Sequence, residues 1–387
     1  MKILFLSFYF APDLCAGSFR SNALIDKLKE YDVEIVIVTT KPNRYSDFSV
    51  EAEDFEQQDN VTIHRVQLPN HNSGMFDQVR AFLKYYKKTI DITKNQDYDM
   101  VFATSSRLFT AFLGSRVSRK KNIPLYLDIR DIFVDTIKDV LPRKLAWFFK
   151  PIFSFVEGYS FKRARHINLV SKGFRDYFEY RYPDVNYSWF TNGIDDSFLE
   201  ASWDYKKVKK DILNIVYAGN IGEGQGLHRI IPELAIKLAG KAKIKIIGSG
   251  GRLAQLEEVT KSLTNVKICK PVERSKLIEE YQQADVLFLH LNAYPAFEKV
   301  LPSKVFEYAA TGKPILAGVA GYSAGYIKNR ISNARVFYPT DASMACEELE
   351  KLSLMPIDRS AFNTKYSRAV IMQSMARDIH EFSLREC

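Results

Sequence analysis

Cysteine is scarce, with four in 387 residues: Cys15, Cys269, Cys346 and Cys387. They are scattered and form no C-x-x-C pair, so neither a disulfide framework nor a thiol redox motif is present. A reduced, cytosolic setting is the expectation. Cys15 lies near a glycine loop, where a reactive thiol and a small loop residue both fit. The six histidines have no metal-ligand spacing. No run of 18 uncharged apolar residues occurs, which argues against a spanning helix. Low-complexity tracts and internal repeats are also missing. Zinc-finger spacing, an arginine-rich run and an RNA-binding signature are lacking too. The net charge of +9 therefore points to anionic lipid or phosphorylated substrates more than to nucleic acid.

What is present is a long alternation of apolar runs. The opening Met1–Pro12 has the look of a signal peptide. A single lysine is a thin basic region, however, and Pro12-Asp13-Leu14 is a poor cleavage neighbourhood. It reads better as the first buried strand of an α/β domain. Further strands are expected at Glu34–Thr39, Val61–Val66, Met100–Thr104, Leu125–Ile129, His166–Val170 and Tyr187–Phe190. A second series comes at Asn214–Tyr217, Lys243–Ile247, Val266–Cys269, Asp285–His290, Pro314–Ala317 and Arg335–Tyr338. Amphipathic stretches lie between them, so each series predicts a parallel sheet covered on both faces. The fold class is α/β, with two Rossmann-like, doubly wound domains facing an interdomain cleft. Residues 1–200 form the first, 201–360 the second, and 361–387 a helix that packs back toward the first. The boundary falls between Gly193 and Asn214, where Trp203–Lys210 reads as a polar linker.

Val300–Gly318 carries the most information. Pro302 suits a first helical position, and Ser303 and Lys304 then fall in the first turn, where backbone N–H groups favour an anion. Glu307 lies one turn on, within reach of a hydroxylated group beside that anion. Gly312 fits a helix stop, and Pro314 bars continuation. An anion next to a diol suggests a nucleotide diphosphate and its ribose. An ordinary helix cap with a surface glutamate fits the same residues.

Three other segments fall at strand ends, where doubly wound sheets bind ligands. Ala11–Arg20 holds Gly17 for close backbone approach, Ser18 as a cap and Arg20 as a phosphate partner. It is not G-x-G-x-x-G, and a plain turn fits equally. Tyr217–Leu227 packs Gly219, Gly222, Gly224 and Gly226 into eight residues. Gly248–Arg252 repeats that chemistry, with Arg252 as a possible phosphate partner. Asp128–Asp131 places Asp131 to orient or deprotonate an acceptor hydroxyl and Arg130 to hold a phosphate. An internal Arg–Asp ion pair is the alternative. Asp97-Tyr98-Asp99 looks like a metal-binding D-x-D, but it precedes a strand and so lies at the wrong end of the sheet. His290 ends a buried strand, where a structural role is expected.

Two stretches mix aromatic and cationic residues. Met75–Lys88 reads as a core helix. Residues 144–165 fit either a core helix or a helix lying in an anionic bilayer surface.

Together these pieces resemble family 4 glycosyltransferases, which are retaining, nucleotide-sugar-dependent enzymes of the GT-B fold. The resemblance covers nearly the whole chain. It is carried by Tyr217–Leu227, Pro302–Pro314 and Asn192-Gly193-Ile194-Asp195, with support from Gly17, Asp128–Asp131 and Gly248–Gly250. Within the family it looks like the branch that builds bacterial O-antigen or capsule. Two departures stand out. The family commonly has a glutamate where this chain has Lys299, beside Glu298. It also commonly has Arg and Lys where this chain has Asn220 and Gln225.

The resemblance implies donor contacts from Gly17, Ser18, Arg20, Gly219, Asn220, Gly222, Gln225, Gly226, Gly248, Val272, Ser303, Lys304 and Glu307. Val272 belongs to the base-binding stretch, and Glu307 takes the ribose. Lys299, Lys304 or Arg20 supplies the charge missing at Asn220 and Gln225. Asp131, Arg130, Glu298 and Lys299 are the candidates for catalysis. No metal or other cofactor is expected. The expected function is transfer of a hexosyl or N-acetylhexosaminyl group from a nucleoside-diphosphate sugar, with UDP first. The acceptor would be a saccharide or a polyprenyl-diphosphate-linked saccharide. The setting would be cytoplasmic, with residues 144–165 offering a peripheral contact with an anionic membrane. A nucleotide-sugar epimerase and a non-catalytic scaffold for polysaccharide assembly are the alternatives.

Overall fold

The computed structural model describes residues 1–13, 15–43, 51–69, 75–105, 108–135, 143–203 and 211–386. The charged part of the expected linker, 204–210, lies outside them. The chain divides into two compact units. Unit 1 comprises residues 1–192 and 368–387, and unit 2 comprises residues 193–367.

Unit 1 is built on eight strands: β1 (Lys2–Leu6), β2 (Glu34–Thr40), β3 (Phe55–Gln58), β4 (Val61–Val66), β5 (Met100–Thr104), β6 (Leu125–Ile129), β7 (His166–Leu169) and β8 (Asn186–Ser188). Their order is β3-β4-β2-β1-β5-β6-β7-β8, parallel except for β3, which runs antiparallel at the edge. Strands β5 and β6 are buried along their whole length. That is why they read as unbroken apolar runs rather than alternating ones. The helices are α1 (Ala16–Leu28), α2 (Met75–Thr93), α3 (Leu108–Lys121), α4 (Arg143–Phe161) and α5 (Arg175–Arg181).

Unit 2 carries β9 (Leu213–Asn220), β10 (Ala242–Ser249), β11 (Val266–Cys269), β12 (Val286–His290), β13 (Ile315–Gly318) and β14 (Ala334–Phe337). Their order, β11-β10-β9-β12-β13-β14, is parallel throughout. This is the 3-2-1-4-5-6 order of a doubly wound sheet, whose switch point lies between β9 and β12. Alternate residues feed two cores. Val216, Ala218 and Leu287 face one side of the sheet, and Ile215, Tyr217 and Phe288 face the other. The helices are α6 (Asp196–Leu199), α7 (Leu227–Lys237), α8 (Leu253–Thr260), α9 (Arg274–Gln283), α10 (Lys304–Ala310), α11 (Gly321–Arg330), α12 (Ala342–Glu350) and α13 (Ser360–Tyr366).

One further helix, α14 (Arg368–Glu386), belongs to unit 1 and packs along α1. Its Ile371, Met372, Met375, Ala376, Ile379 and Phe382 are all buried. Their spacing draws one apolar stripe down the helix. Just before it, the backbone N–H of Ile194 donates to the Tyr366 carbonyl (2.8 Å), and Ile194 bridges Ser367 in parallel. The two passages between the units therefore run side by side.

The expected strands all appear, most within two residues of their expected ends. Strand β3 was not expected. Its Phe-Glu-Gln-Gln sequence is largely exposed and has no apolar alternation. Helix α10 starts at Lys304, with Ser303 as its N-cap and Pro302 one residue further out. The Pro302 carbonyl accepts from Val305 N at 3.1 Å and so opens the turn. Gly312 follows the C-cap at φ +69°, as a helix stop requires. Asp99 pairs with the backbone N of Lys2 at 2.6 Å, at the N-terminal edge of β1 and β5. Among the described residues no helix is long and apolar enough to cross a membrane.

Candidate functional site

In unit 2 the glycine-rich loop Gly219–Gly226 leaves the end of β9, at the sheet's switch point. Several bonds fix it. Tyr217 Oη donates to the Asn220 carbonyl at 2.7 Å. Asn292 N donates to the Gly224 carbonyl at 2.8 Å. His290 Nδ1 lies 2.6 Å from the Gln225 carbonyl, and Thr340 N donates to His290 Nε2 at 3.0 Å. These partners make Nδ1 the donor and Nε2 the acceptor, so the ring is neutral. Burial pushes its pKa down to about 4, although the Gln225 carbonyl works in the other direction. His290 is thus a structural tie.

Glycine is obligatory at Gly248. The strand ends of β9 and β10 meet there with Gly248 opposite Gly219, and a Cβ on Gly248 would run into the Gly219 carbonyl oxygen. Gly250 is also closed to a side chain, since its Cβ would fall 2.5 Å from the Ile221 carbonyl oxygen. Beside this floor stands Lys304, whose Cε is 3.5 Å from where a Gly219 side chain would begin.

Lys304 Nζ lies 2.6 Å from Glu307 Oε2 and 3.3 Å from Tyr281 Oη. Desolvation works to lower the lysine pKa, but Glu307 and Tyr308 outweigh it and raise it. Lys304 therefore stays an ammonium. Tyr308 Oη accepts from Ala218 N at 3.1 Å, which pins α10 against β9. Arg274, at the start of α9, reaches Asp195 Oδ2 at 2.6 Å and Glu307 Oε1 at 3.7 Å. Val272 is exposed two residues earlier. Ser303 makes no side-chain cap bond. Lys304, Arg274, Glu307 and a glycine floor thus gather near the end of β9, with Asp195 behind Arg274. The set suits an anion next to a diol.

The two positions that depart from the family pattern pair with each other. Asn220 Nδ2 donates to Gln225 Oε1 at 2.8 Å, over Gly222. The loop also encloses Glu223, which accepts from Tyr294 Oη at 2.7 Å and Arg229 Nη2 at 2.9 Å. Arg252 Nε lies 2.6 Å from its other oxygen, so the cation expected for a phosphate is engaged by Glu223. Desolvation acts to raise the Glu223 pKa, and Tyr294 with the two arginines lowers it overall. Glu298 and Lys299 sit in a short 3-10 turn, exposed and half-buried respectively. A Cβ on Gly321 would strike the Glu298 backbone, so that turn is closely backed by α11.

Unit 1 gathers the other candidates. Asp128 is buried at the end of β6. Arg20 donates to both its oxygens at 2.9 Å, and Asn168 Nδ2 to Oδ1 at 2.7 Å. Burial acts to raise the Asp128 pKa, but Arg20, Arg130 and Asn168 hold it below its ordinary value. Arg20 also donates to the carbonyls of Thr191 (2.7 Å) and Phe190 (2.8 Å). Arg20 is 2% exposed. This corrects the expectation of a phosphate contact: the Arg20 guanidinium ties α1 to β6 and to the end of unit 1. Ser18 is likewise not a cap. Helix α1 begins at Ala16 with Cys15 at the N-cap, and Ser18 is buried within the first turn.

The internal pair offered as the alternative for Asp128–Asp131 would use Arg130, but the arginine bonded to Asp128 is Arg20. Arg130 points instead at Gly17, where a Cβ would fall 2.8 Å from its Nη1. That nitrogen is buried and without a hydrogen-bond partner. Desolvation pushes the Asp131 carboxyl up to about 6 against the pull of Arg130, but the residue is exposed, and contact with water weakens that push. Among the described residues, no group of three or more His, Cys, Asp or Glu is placed to hold a metal ion.

Arg274, Tyr281, Tyr308 and Asp195 complete the unit 2 constellation but were not among the expected site residues. Asp195 belongs to the Asn192–Asp195 motif, which was its only cue. Tyr308 lies within the Pro302–Pro314 motif, one residue after Glu307, whereas Arg274 and Tyr281 carry no local pattern and reach the site together on α9.

No curated protein sequence matches the chain. Solved structures share its fold. Sucrose-phosphate synthase from Thermosynechococcus elongatus aligns over 100% of this chain and 97% of its own, with TM-score 0.71 and 12% identity. Anabaena HepE in complex with UDP and glucose aligns over 98% and 100%, with TM-score 0.68 and 15% identity. WaaG, a glycosyltransferase involved in lipopolysaccharide biosynthesis, aligns over 97% and 95%, with TM-score 0.66 and 14% identity. Residues 19–192 match the glycosyl transferase 4-like domain, and residues 200–368 match glycosyl transferases group 1. With both halves so matched and the two sheets in place, the chain is a glycosyltransferase of the GT-B fold that draws on a nucleotide-sugar donor.

Proposed function

We propose that the donor is a UDP-sugar bound in unit 2. The observation that carries this reading is the Lys304–Glu307 pair beside the glycine floor of Gly219 and Gly248. Glu307 accepts from the ribose hydroxyls, and Lys304 neutralises the diphosphate. The exposed stretch at Val272 takes the base. The leaving nucleotide is stabilised by fixed charge and backbone N–H groups, with no metal required. Because Asn220 and Gln225 are neutral and bonded to each other, Lys304 carries a larger share of that charge than in relatives with Arg and Lys there. Its replacement by alanine would depress turnover strongly. HepE is a neighbour described with bound UDP, which supports UDP as the first nucleotide to test.

Unit 1 takes the acceptor, a saccharide on a polyprenyl-diphosphate carrier, in bacterial surface polysaccharide synthesis. Asp131 attends the acceptor hydroxyl. Its raised carboxyl pKa suits a group that takes a proton near neutral pH. Retention of anomeric configuration follows from the family resemblance. Contact with an anionic membrane is carried by α4, whose Trp147 is 80% and Phe155 69% exposed.

Thermal shift of the purified protein against UDP, GDP, ADP and CMP tests the donor reading. UDP at about 100 times its dissociation constant adds roughly 2.7 kcal/mol, and a chelator leaves that gain intact. Stabilisation by GDP alone would move the donor and keep the site. Silence toward all four would sink the donor assignments.

A further inference from the structure

Glu307 accepts from the ribose hydroxyls in the proposed donor complex, and the role of its neighbours depends on that assignment. A carboxylate that accepts from two hydroxyls must be ionised and fixed in rotation. Lys304 cannot do this alone, because the same ammonium is needed at the diphosphate. The second carboxylate oxygen has another cation at hand. Arg274 Nη1 lies 3.7 Å from Glu307 Oε1, while Lys304 sits on Oε2.

Arg274 is itself held. Its Nη2 donates to Asp195 Oδ2 at 2.6 Å, and its guanidinium lies over the Phe198 ring at 5.0 Å. Phe198 is fully buried, so that ring is a fixed surface. Asp195 follows Ile194, which is fully buried and bonded to the Tyr366 carbonyl. A planar guanidinium gripped at one edge and lying over a ring has little further freedom to lose when it meets a second carboxylate.

We infer that Arg274, clamped by Asp195 and Phe198, is the positioning residue for Glu307. It keeps the carboxylate aimed at the ribose diol while Lys304 serves the diphosphate. Asp195 then acts on the donor through Arg274.

Calorimetric titration of the full chain with UDP and with 2′,3′-dideoxy-UDP tests this, or the guanosine pair if GDP is the stabilising nucleotide. The wild type favours the ribonucleotide by about tenfold or more. Arg274→Gln and Asp195→Asn bring that ratio toward one while affinity for the dideoxy compound stays near the wild-type value. Arg274→Lys restores part of the ratio. Should Arg274→Gln not fold, Asp195→Asn carries the test. Equal weakening of both nucleotides, with the ratio preserved, overturns the positioning role alone. Equal binding of the two nucleotides by the wild type overturns the ribose assignment and this inference with it. No binding of any nucleotide overturns the donor reading itself.

Discussion

At the scale of single residues, His290 illustrates how burial sets charge. Its ring spans the glycine loop and the Thr340 turn, and both partners require the neutral form. With the folded pKa near 4 against an ordinary 6.5, the unfolded chain binds a proton first as pH falls. Above pH 6.5 the residue makes no difference to stability's pH slope. Between 6.5 and 4 stability is lost with falling pH. Moving from pH 7.5 to 5 removes about 2 kcal/mol through this residue. Urea unfolding of wild type and His290→Gln at the two pH values measures that share. Parallel pH dependences in the two proteins would refute it. The placement of His290 at a strand end was legible, because a buried strand preceded it. The clamp on Arg274 was not. Asp195 and Arg274 lie 79 positions apart, and nothing in either segment announces the other. Arg20 misled for a related reason. An arginine after a glycine loop looks like a phosphate ligand, and only the fold reveals Asp128 waiting for it.

At the scale of elements, the strands were legible because buried parallel strands leave unbroken apolar runs. What escaped was β3, an exposed edge strand whose pairing with β4 owes nothing to an apolar pattern. The start of α10 was displaced from Pro302 to Lys304, since Pro302 lends its carbonyl to the turn. Helix α14 shows how an element far along the chain supports an early one. Phe382 meets Tyr126 edge-on at 5.6 Å and His166 at 5.8 Å. Tyr126 Oη donates to Asp378 at 2.8 Å. Phe382→Ala should cost about 3–5 kcal/mol. Hydrogen exchange will assign the loss, with faster exchange in α1 and β6 and little change in β9 and β12. Uniform acceleration across both sheets would contradict that assignment.

At the scale of the molecule, helices α2 and α4 set lysines among exposed apolar side chains. Helices α2 and α4 are linked through α3 by ring contacts, Phe82 with Phe109 at 5.1 Å and Phe109 with Phe153 at 6.0 Å. Helix α2 buries Phe82 and Tyr85 as a core helix should, yet it leaves Val79, Leu83, Lys84, Lys87 and Lys88 exposed. Helix α4 leaves Trp147, Lys150, Ile152 and Phe155 exposed. Rings and aliphatic groups interleaved with lysines favour an anionic bilayer surface. The protein should sediment with anionic vesicles at low salt and stay free with neutral ones. Trp147→Ala together with Lys84→Glu and Lys87→Glu should weaken that binding about tenfold or more. Indifference to lipid charge would remove the membrane from the proposed function.

The return of the chain to unit 1 through α14 also orders events during synthesis. Unit 2 is a continuous stretch and is complete once Ser367 has been made. Unit 1 begins first yet must wait for residues 368–387 before the apolar side of α1 is covered. Every residue of unit 2 is therefore made before the last residues of unit 1. A chain cut before Arg368 would keep every residue of unit 2 and leave unit 1 open along α1.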